Sequence, residues 1–410
     1  MPIIKSFEAI LPAYDRIEKI VVNLENLSMV SAKEMRSLYP ESFIHLLVPK
    51  IENYYLRGSK KELSFQKISE NFNDFIDKSI LIKDQKASIY IYRQTKNQQS
   101  YTGIWTLSSI DDYIHNRIKK HELTLPEREE GLKEYLQQTG IDANPVLITY
   151  QENQQIDDIL EQSTQLKPDL DFNLDDAQHQ IWKIDHPIAI GNLVQLFSDL
   201  PNVYIADGHH RAAAAAIYGI EKRKLNFNHQ GNEEYNFFSS VYIASNQLKI
   251  FPFHRFLKFE ILPNETHLLA FLNQQFDIRA IEKRNVIPLQ KHHIGLYLNG
   301  KSYQIDLKKE CNGDIIHDLD VNLLQDFILS PYFKISNPRA DKKIHFIGGE
   351  IDLDEQLEKI DRGIYDMAFF VFPVSVVDLI KIADIEETMP AKSTFIEPKF
   401  LAGLITHEIA

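Results

Sequence analysis

The chain has 410 residues, with 45 Lys and Arg against 58 Asp and Glu, a formal net charge of −13 and a hydrophobic fraction of 44%. This length exceeds what a single hydrophobic core usually supports, so a globular protein of two or three domains or subdomains is expected. The acidic balance excludes a bulk nucleic-acid scaffold while leaving room for a local basic pocket, and the single cysteine, Cys311, excludes an intrachain disulfide and a cysteine-rich zinc centre.

The opening Met1-Pro2-Ile3-Ile4-Lys5-Ser6-Phe7-Glu8 lacks the positive segment, apolar stretch and small-residue cleavage site of a secretory leader, which points to the cytoplasm. Ser31-Ala32-Lys33-Glu34 has capping-box spacing and predicts the start of a short helix, followed by a strand over Phe43 to Val48. From Ile89 to Leu107, two runs rich in Ile, Tyr, Thr and Trp flank the polar Thr95 to Ser100 and predict a hairpin. Ser109 with Asp112 predicts a helix carrying Ile110, Tyr113, Ile114 and Ile118 at helical spacing. Thr124 and Glu127 form a second capping box, with Pro126 in the first turn and a helix running to about Gly140.

Val146 to Tyr150 reads as a buried strand, whereas residues 151–178, rich in Gln, Asn and Asp, read as an acidic surface insertion with a short helix over Ile156 to Glu161. A short apolar run at Trp182 to Ile184 and a helix from about Asn192 to Leu200 lead to a strand at Val203. Phe237 to Ala244 predicts another buried strand. Residues 260–320 alternate as an antiparallel sheet does, with a turn at Asn299-Gly300. Phe369 to Phe372 and Ser375 to Ile382 follow as strand and helix. The apolar patch Met367 to Val377 contains Pro373 and is too short to span a bilayer, so no membrane partner is expected.

The most informative segment is Val203-Tyr204-Ile205-Ala206-Asp207-Gly208-His209-His210-Arg211 followed by five alanines: a strand, a glycine turn and a helix start. The first amides of a helix lack intrahelical partners and carry the positive end of its dipole, so phosphate is favoured there. Gly208 lets backbone approach a ligand, Arg211 can grip two oxygens, and His209 and His210 can donate or move protons. The bland reading is a helix capped by Asp207, with Arg211 paired to a core carboxylate and alanines chosen for close packing.

A second segment, Lys119-Lys120-His121-Glu122-Leu123-Thr124, sets a carboxylate beside His121 at a helix mouth, fit for a general base or a metal-facing group. A third, Met389-Pro390-Ala391-Lys392-Ser393-Thr394 continuing to Lys399, lacks the glycines of a Walker loop but can present Lys392, Ser393 and Thr394 to an anion. His254, His292 and His293 lack zinc-ligand spacing and read as structural. No Gly-x-Ser-x-Gly elbow or Gly-x-Gly-x-x-Gly fingerprint is present.

Together these three motifs resemble a widespread bacterial family catalogued as a domain of unknown function. The central part is also similar to the superfamily of ParB-type partition proteins, sulfiredoxins and ParB-like free-serine kinases. That resemblance implies an α+β fold with a ParB/sulfiredoxin-like mixed-sheet core over 109–260, flanked by α+β segments over 1–108 and 261–410. It implies a phosphotransferase acting on a small hydroxyl compound such as serine, or on phosphoserine, using a nucleotide (ATP or ADP) or pyrophosphate with Mg²⁺. In that reading Glu122 is the base, with His121 and His209 as catalytic partners. Asp207, Gly208, His210, Arg211, Lys392, Ser393 and Thr394 hold the phosphates, and Asp207 helps hold the metal. Relatives usually carry Pro-Tyr-Asp where this chain has Asn26-Leu27-Ser28, and Asp-Arg where it has Gly131-Leu132. Those departures favour an alternative, a non-catalytic nucleotide-binding regulator or scaffold. The expected partner is a small molecule rather than nucleic acid, and homo-oligomerisation is left open.

Overall fold

The β-rich runs on either side of Thr95–Ser100 pair as a long antiparallel hairpin, around which the largest sheet is built. In a computed structural model, residues 2–25, 27–47, 59–308 and 314–409 are described. Asn26 and Cys311 therefore lie outside the described residues, as does Val48 at the end of the expected 43–48 strand. The chain divides into two units, Met1–Lys120 with Thr124–Leu248 and Pro398–Ala410, and His121–Leu123 with Lys249–Glu397.

Among the described residues the main sheet of the first unit has nine strands. They are β1 (Ile4–Lys5), β2 (Ile89–Lys96), β3 (Gln99–Ser109), β4 (Ile118–Lys119), β5 (Val146–Tyr150), β6 (Leu170–Leu174), β7 (Ala177–Ile184), β8 (Val203–Asp207) and β9 (Phe237–Ala244). Their order is β6-β7-β2-β3-β9-β5-β8-β4, with β1 on β3. The β9–β5 and β8–β4 pairs are parallel and the others antiparallel, a mixed sheet in an α+β fold. All eight residues of β9 are buried, as its central place demands. Its two serines are satisfied there: Trp105 Nε1 donates to Ser239 Oγ at 2.8 Å, and the Ser240 and Ser108 hydroxyls lie 2.6 Å apart.

The expected acidic insertion is instead part of this sheet. Asn153 caps the Gln154–Thr164 helix, and β6 and β7 form a hairpin whose β7 pairs with β2 along eight residues. Its turn residues Asp175 and Asp176 both have positive φ, 49° and 60°, so aspartates fill the places glycine usually takes. Polar composition masked a period-two pattern in which Ala177, His179 and Ile181 face inward. His179 stacks on Phe172 at 5.1 Å, lies 2.7 Å from the Tyr92 hydroxyl, and burial pulls its pKa down to about 4.

Two N-terminal readings also shift. The helix expected from Ser31 is Met29–Leu38, capped by Ser28 rather than Ser31, because the Ser28 hydroxyl accepts the Ser31 amide at 3.1 Å. Residues Phe43–Leu46 form a 3₁₀ helix rather than a strand, with Phe43 and Leu46 in a local core alongside Phe65 and Phe72.

The His209–Leu225 helix buries Ala212 through Ala216, and small side chains let it lie close to its neighbours. Gly219 completes this face. A Cβ there would overlap the Ile110 side chain and come 2.5 Å from the Tyr235 carbonyl oxygen. Residues 398–410 are fastened to the unit by short strand pairs, Leu401–Ala402 with Val22–Asn23 and His407–Glu408 with Ile141–Asp142. Buried His407 also meets Glu234 at 2.9 Å.

The second unit has a six-stranded sheet of β10 (Phe253–Leu257), β11 (Phe276–Ile281), β12 (His293–Leu298), β13 (Lys301–Leu307), β14 (Ile344–Gly348) and β15 (Met367–Phe370). Its order is β11-β13-β12-β15-β10-β14, antiparallel throughout. The expected turn at Asn299-Gly300 joins β12 to β13, both residues having positive φ. An unexpected helix, Glu265–Leu272, precedes β11 and is capped by Asn264. No helix among the described residues is long and apolar enough to cross a membrane.

Two glycines separate packing from propensity. Gly219→Ala should lower stability by about 1–3 kcal/mol through overpacking. Gly131, in the Pro126–Thr139 helix, has nothing within 4 Å of an added Cβ, so Gly131→Ala should raise the melting temperature by roughly 2–4 °C. Thermal unfolding of both variants checks the pair, and Tm shifts of the same sign would contradict it.

Candidate functional site

At the end of β8 the chain turns at Gly208, whose φ of 98° is in the left-handed region that favours glycine, and enters the His209–Leu225 helix. No side chain caps this helix; the Gly208 carbonyl accepts the amides of Arg211 and Ala212 at 2.9 and 3.1 Å. The Arg211 side chain folds back over the turn. A Cβ on Gly208 would stand 2.8–3.0 Å from the Arg211 guanidinium, so glycine is favoured by φ, and a side chain there would also displace the guanidinium.

Arg211 is held entirely by protein acceptors. Its Nη2 donates to Asp207 Oδ2 at 2.6 Å, and its Nη1 donates to the Asn144 side chain at 2.6 Å and to the Asn144 and Pro145 carbonyls. The guanidinium thus joins the helix start to the residues that open β5. The second Asp207 oxygen accepts from Lys399 Nζ at 3.2 Å. Burial opposes ionisation of Asp207, but the Lys399 ammonium and Arg211 guanidinium overcome it and hold the carboxyl well below the usual carboxylate range. One carboxylate lies between two cations at the positive end of a 17-residue helix.

The two histidines differ. His209 is buried in the helix face. His210 Nδ1 accepts the Leu125 amide at 3.3 Å, which requires a lone pair on Nδ1 and places the proton of the neutral ring on Nε2. Leu125 is the N-cap of the Pro126–Thr139 helix, and that helix has no side-chain cap of its own. The expected Thr124/Glu127 capping box does not form: the N-cap is Leu125, one residue later, its amide is taken by His210, and Pro126 occupies the first position.

Within the second unit, the other two motifs come together. The His121 carbonyl accepts the Met389 amide at 2.9 Å, and the Glu122 carboxylate lies 3.8 Å from Arg339, which also donates to the Leu123 carbonyl at 3.5 Å. Lys392 has φ of 59° and its ammonium sits 4.7 Å over the Phe253 ring. Buried Arg255 donates to the Phe253 and Lys392 carbonyls, and desolvation lowers its pKa to about 9. Ser393 is buried and donates to the Pro390 carbonyl at 2.7 Å, closing its own turn, while Thr394 is half-buried beside it. His254 is buried and accepts the Val371 amide at 3.4 Å.

Sequence reasoning missed Asn144, Arg255 and Arg339 and gave Lys399 no role. Lys399 carried a signal, since it closes the third motif; the others serve as isolated partners of motif residues. Among the described residues no group of three His, Cys, Asp or Glu could hold a metal ion. Asp207 in particular does not suit a divalent cation, because both its oxygens already face cationic side chains.

The described fold is a mixed-sheet α+β protein with a glycine turn at a helix start. The chain belongs to the family described as protein of unknown function (DUF1015), whose model matches residues 4–322. No curated protein matches. Among solved structures, the chain is similar to a free serine kinase in complex with AMP, at 14% identity and a TM-score of 0.35, over 72% of this chain and 88% of that one. It is similar also to a conserved hypothetical protein from Pyrococcus furiosus (15%, 0.36, 74% and 95%) and to SbnI with C-terminal truncation from Staphylococcus aureus (12%, 0.38, 73% and 85%).

Asp207→Asn should cost about 1–3 kcal/mol at pH 7, since Arg211 and Lys399 lose their shared counter-charge. A carboxyl with a depressed folded pKa stabilises above its unfolded value, about 3.9, and that contribution is lost as pH falls through the folded value. Urea unfolding of wild type and variant should give a constant difference between pH 7 and about pH 5 that shrinks below about pH 4. A difference that grows on acidification would contradict this assignment.

Proposed function

We propose that this protein binds the phosphates of a nucleotide or pyrophosphate at the Gly208 turn and transfers a phosphoryl group to or from a small hydroxyl compound such as serine or phosphoserine. The observation that carries the reading is the glycine turn at the start of a long helix, where helix amides gather, with the Arg211 and Lys399 cations bracketing Asp207 beside it. Phosphoryl transfer asks mainly for alignment and charge neutralisation, and such a turn supplies both.

The roles follow the chemistry of each group. Lys399 and the Nε2–H of His210 face phosphate oxygens, while Arg211 keeps the turn rigid rather than gripping phosphate itself. His209, buried at the start of the helix, is kept in this reading as a catalytic partner. Glu122 accepts the proton of the substrate hydroxyl, whose oxygen forms the new bond to phosphorus as the bond to the leaving phosphate breaks. His121 positions Glu122, and Lys392, with Ser393 and Thr394, receives an anionic part of the substrate. In this reading the central sheet is a ParB/sulfiredoxin-like core. No step is assigned to a metal held by Asp207; Mg²⁺ enters with the nucleotide. The protein acts as a cytoplasmic enzyme on small molecules.

A second reading, a nucleotide-binding regulator without turnover, is favoured by Gly131-Leu132, where relatives carry Asp-Arg. Gly131 faces open space, so nothing in the packing demands a glycine there.

Thermal-shift and turnover measurements with ATP, ADP and pyrophosphate, Mg²⁺ and serine or phosphoserine test both. The enzyme reading expects ligand stabilisation together with product, and loss of product by 10²-fold or more in Glu122→Gln with binding retained. Stabilisation without product, restored to turnover by Gly131→Asp with Leu132→Arg, would establish the regulator as a lapsed enzyme. Absence of any stabilisation would overturn both.

A further inference from the structure

We propose that the second unit carries a separate binding site for a planar aromatic anion, in a cavity of about 530 Å³ formed where the Glu265–Leu272 helix meets the turn at residues 331–334. This site is independent of the phosphate turn. Its wall is a continuous run of rings. Phe259 stacks on Phe333 with centroids 5.2 Å apart, Tyr332 meets Phe333 edge-on at 4.9 Å, and Phe271 meets Tyr332 at 4.9 Å. His267 extends the run, 5.6 Å from Tyr332 and with its Nδ1 3.0 Å from that hydroxyl.

Two ammonium groups stand at this wall. Lys334 Nζ donates to the Pro331 carbonyl at 2.7 Å, and Lys343 Nζ donates to the Phe333 carbonyl at 2.9 Å and lies 3.5 Å from Asp341. An ammonium has three donors, so each lysine retains capacity for an acceptor on a ligand. Lys334 is exposed and has φ of 58°, a backbone state that a lysine adopts at a cost and that glycine adopts freely.

These features select the ligand. The volume is that of a small-molecule site. Aromatic faces favour a flat π-system in offset or edge contact. An uncharged ring would bury the wall and leave the Lys334 ammonium unmatched, and a non-aromatic anion would match that ammonium and leave the rings in water. A ring system bearing a carboxylate or phosphate answers both, and it could be an aromatic acid or a nucleoside monophosphate.

Isothermal titration of the full chain with indole-3-acetate, AMP, indole and cyclohexanecarboxylate tests the site. Indole-3-acetate is the deciding probe, because AMP also suits the phosphate turn. We expect saturable binding of indole-3-acetate, at least tenfold tighter than indole or cyclohexanecarboxylate. Lys334→Gly removes the ammonium while easing the backbone, so it should fold normally and weaken indole-3-acetate binding by about tenfold. Phe271→Leu should weaken it by about threefold to tenfold through loss of a ring. If AMP binds more tightly than indole-3-acetate and Lys334→Gly lowers both affinities, the natural ligand is a nucleotide; weaker AMP binding makes it an aromatic acid. Absence of saturable indole-3-acetate binding, or equal affinity in wild type and Lys334→Gly, would overturn the proposal.

Discussion

The first unit depends on one ion pair. Arg211 bonds Asp207 across the Gly208 turn and, through its other end, the side chain and carbonyl of Asn144 and the carbonyl of Pro145. A single guanidinium thereby fixes the end of β8, the start of the Ala-rich helix and the approach to β5. Lys399 draws the C-terminal segment to the same carboxylate. Five donors in a planar fork are what such a junction needs, and a lysine could not span these acceptors. The turn is held by charges that are spent on one another.

An arginine beside a glycine turn invites the expectation that it reaches for phosphate, and here the guanidinium also bonds Asp207 and the Asn144–Pro145 backbone. His210 shows the same economy. Its Nδ1 caps the neighbouring Pro126–Thr139 helix through Leu125, which fixes the tautomer and leaves Nε2–H as the donor. Such second roles explain why the residues are clustered so tightly: each both supports the turn and shapes its charge.

Much of the fold was legible because the periodicity was clean. The β2–β3 hairpin, the buried β5 and β9, the helix ending at Gly140 and the β12–β13 turn all follow from β-branched runs, glycine positions and caps. The β6–β7 hairpin was hidden because its inward face uses Ala177 and His179 among glutamines, and its turn uses two aspartates. The Phe43–Leu46 turn was hidden because four residues with three apolar side chains fit a strand or a tight helix equally well. At the site, the motif residues were visible as a cluster in sequence, but their partners were not. Asn144, Lys399, Arg255 and Arg339 come from distant segments, and no local pattern announces a residue whose role is set by what it meets across the fold.

The central claim is that the helix start at Gly208 is an anion site preorganised by the Asp207–Arg211–Lys399 cluster. Amide-resolved nuclear magnetic resonance of the full chain during a pyrophosphate titration tests it most directly. The account predicts saturable shifts concentrated at the amides of Gly208, His209 and His210, with the Asn144 amide at the junction unmoved. Saturation elsewhere with these amides unchanged, or shifts spread evenly over the surface, would contradict it.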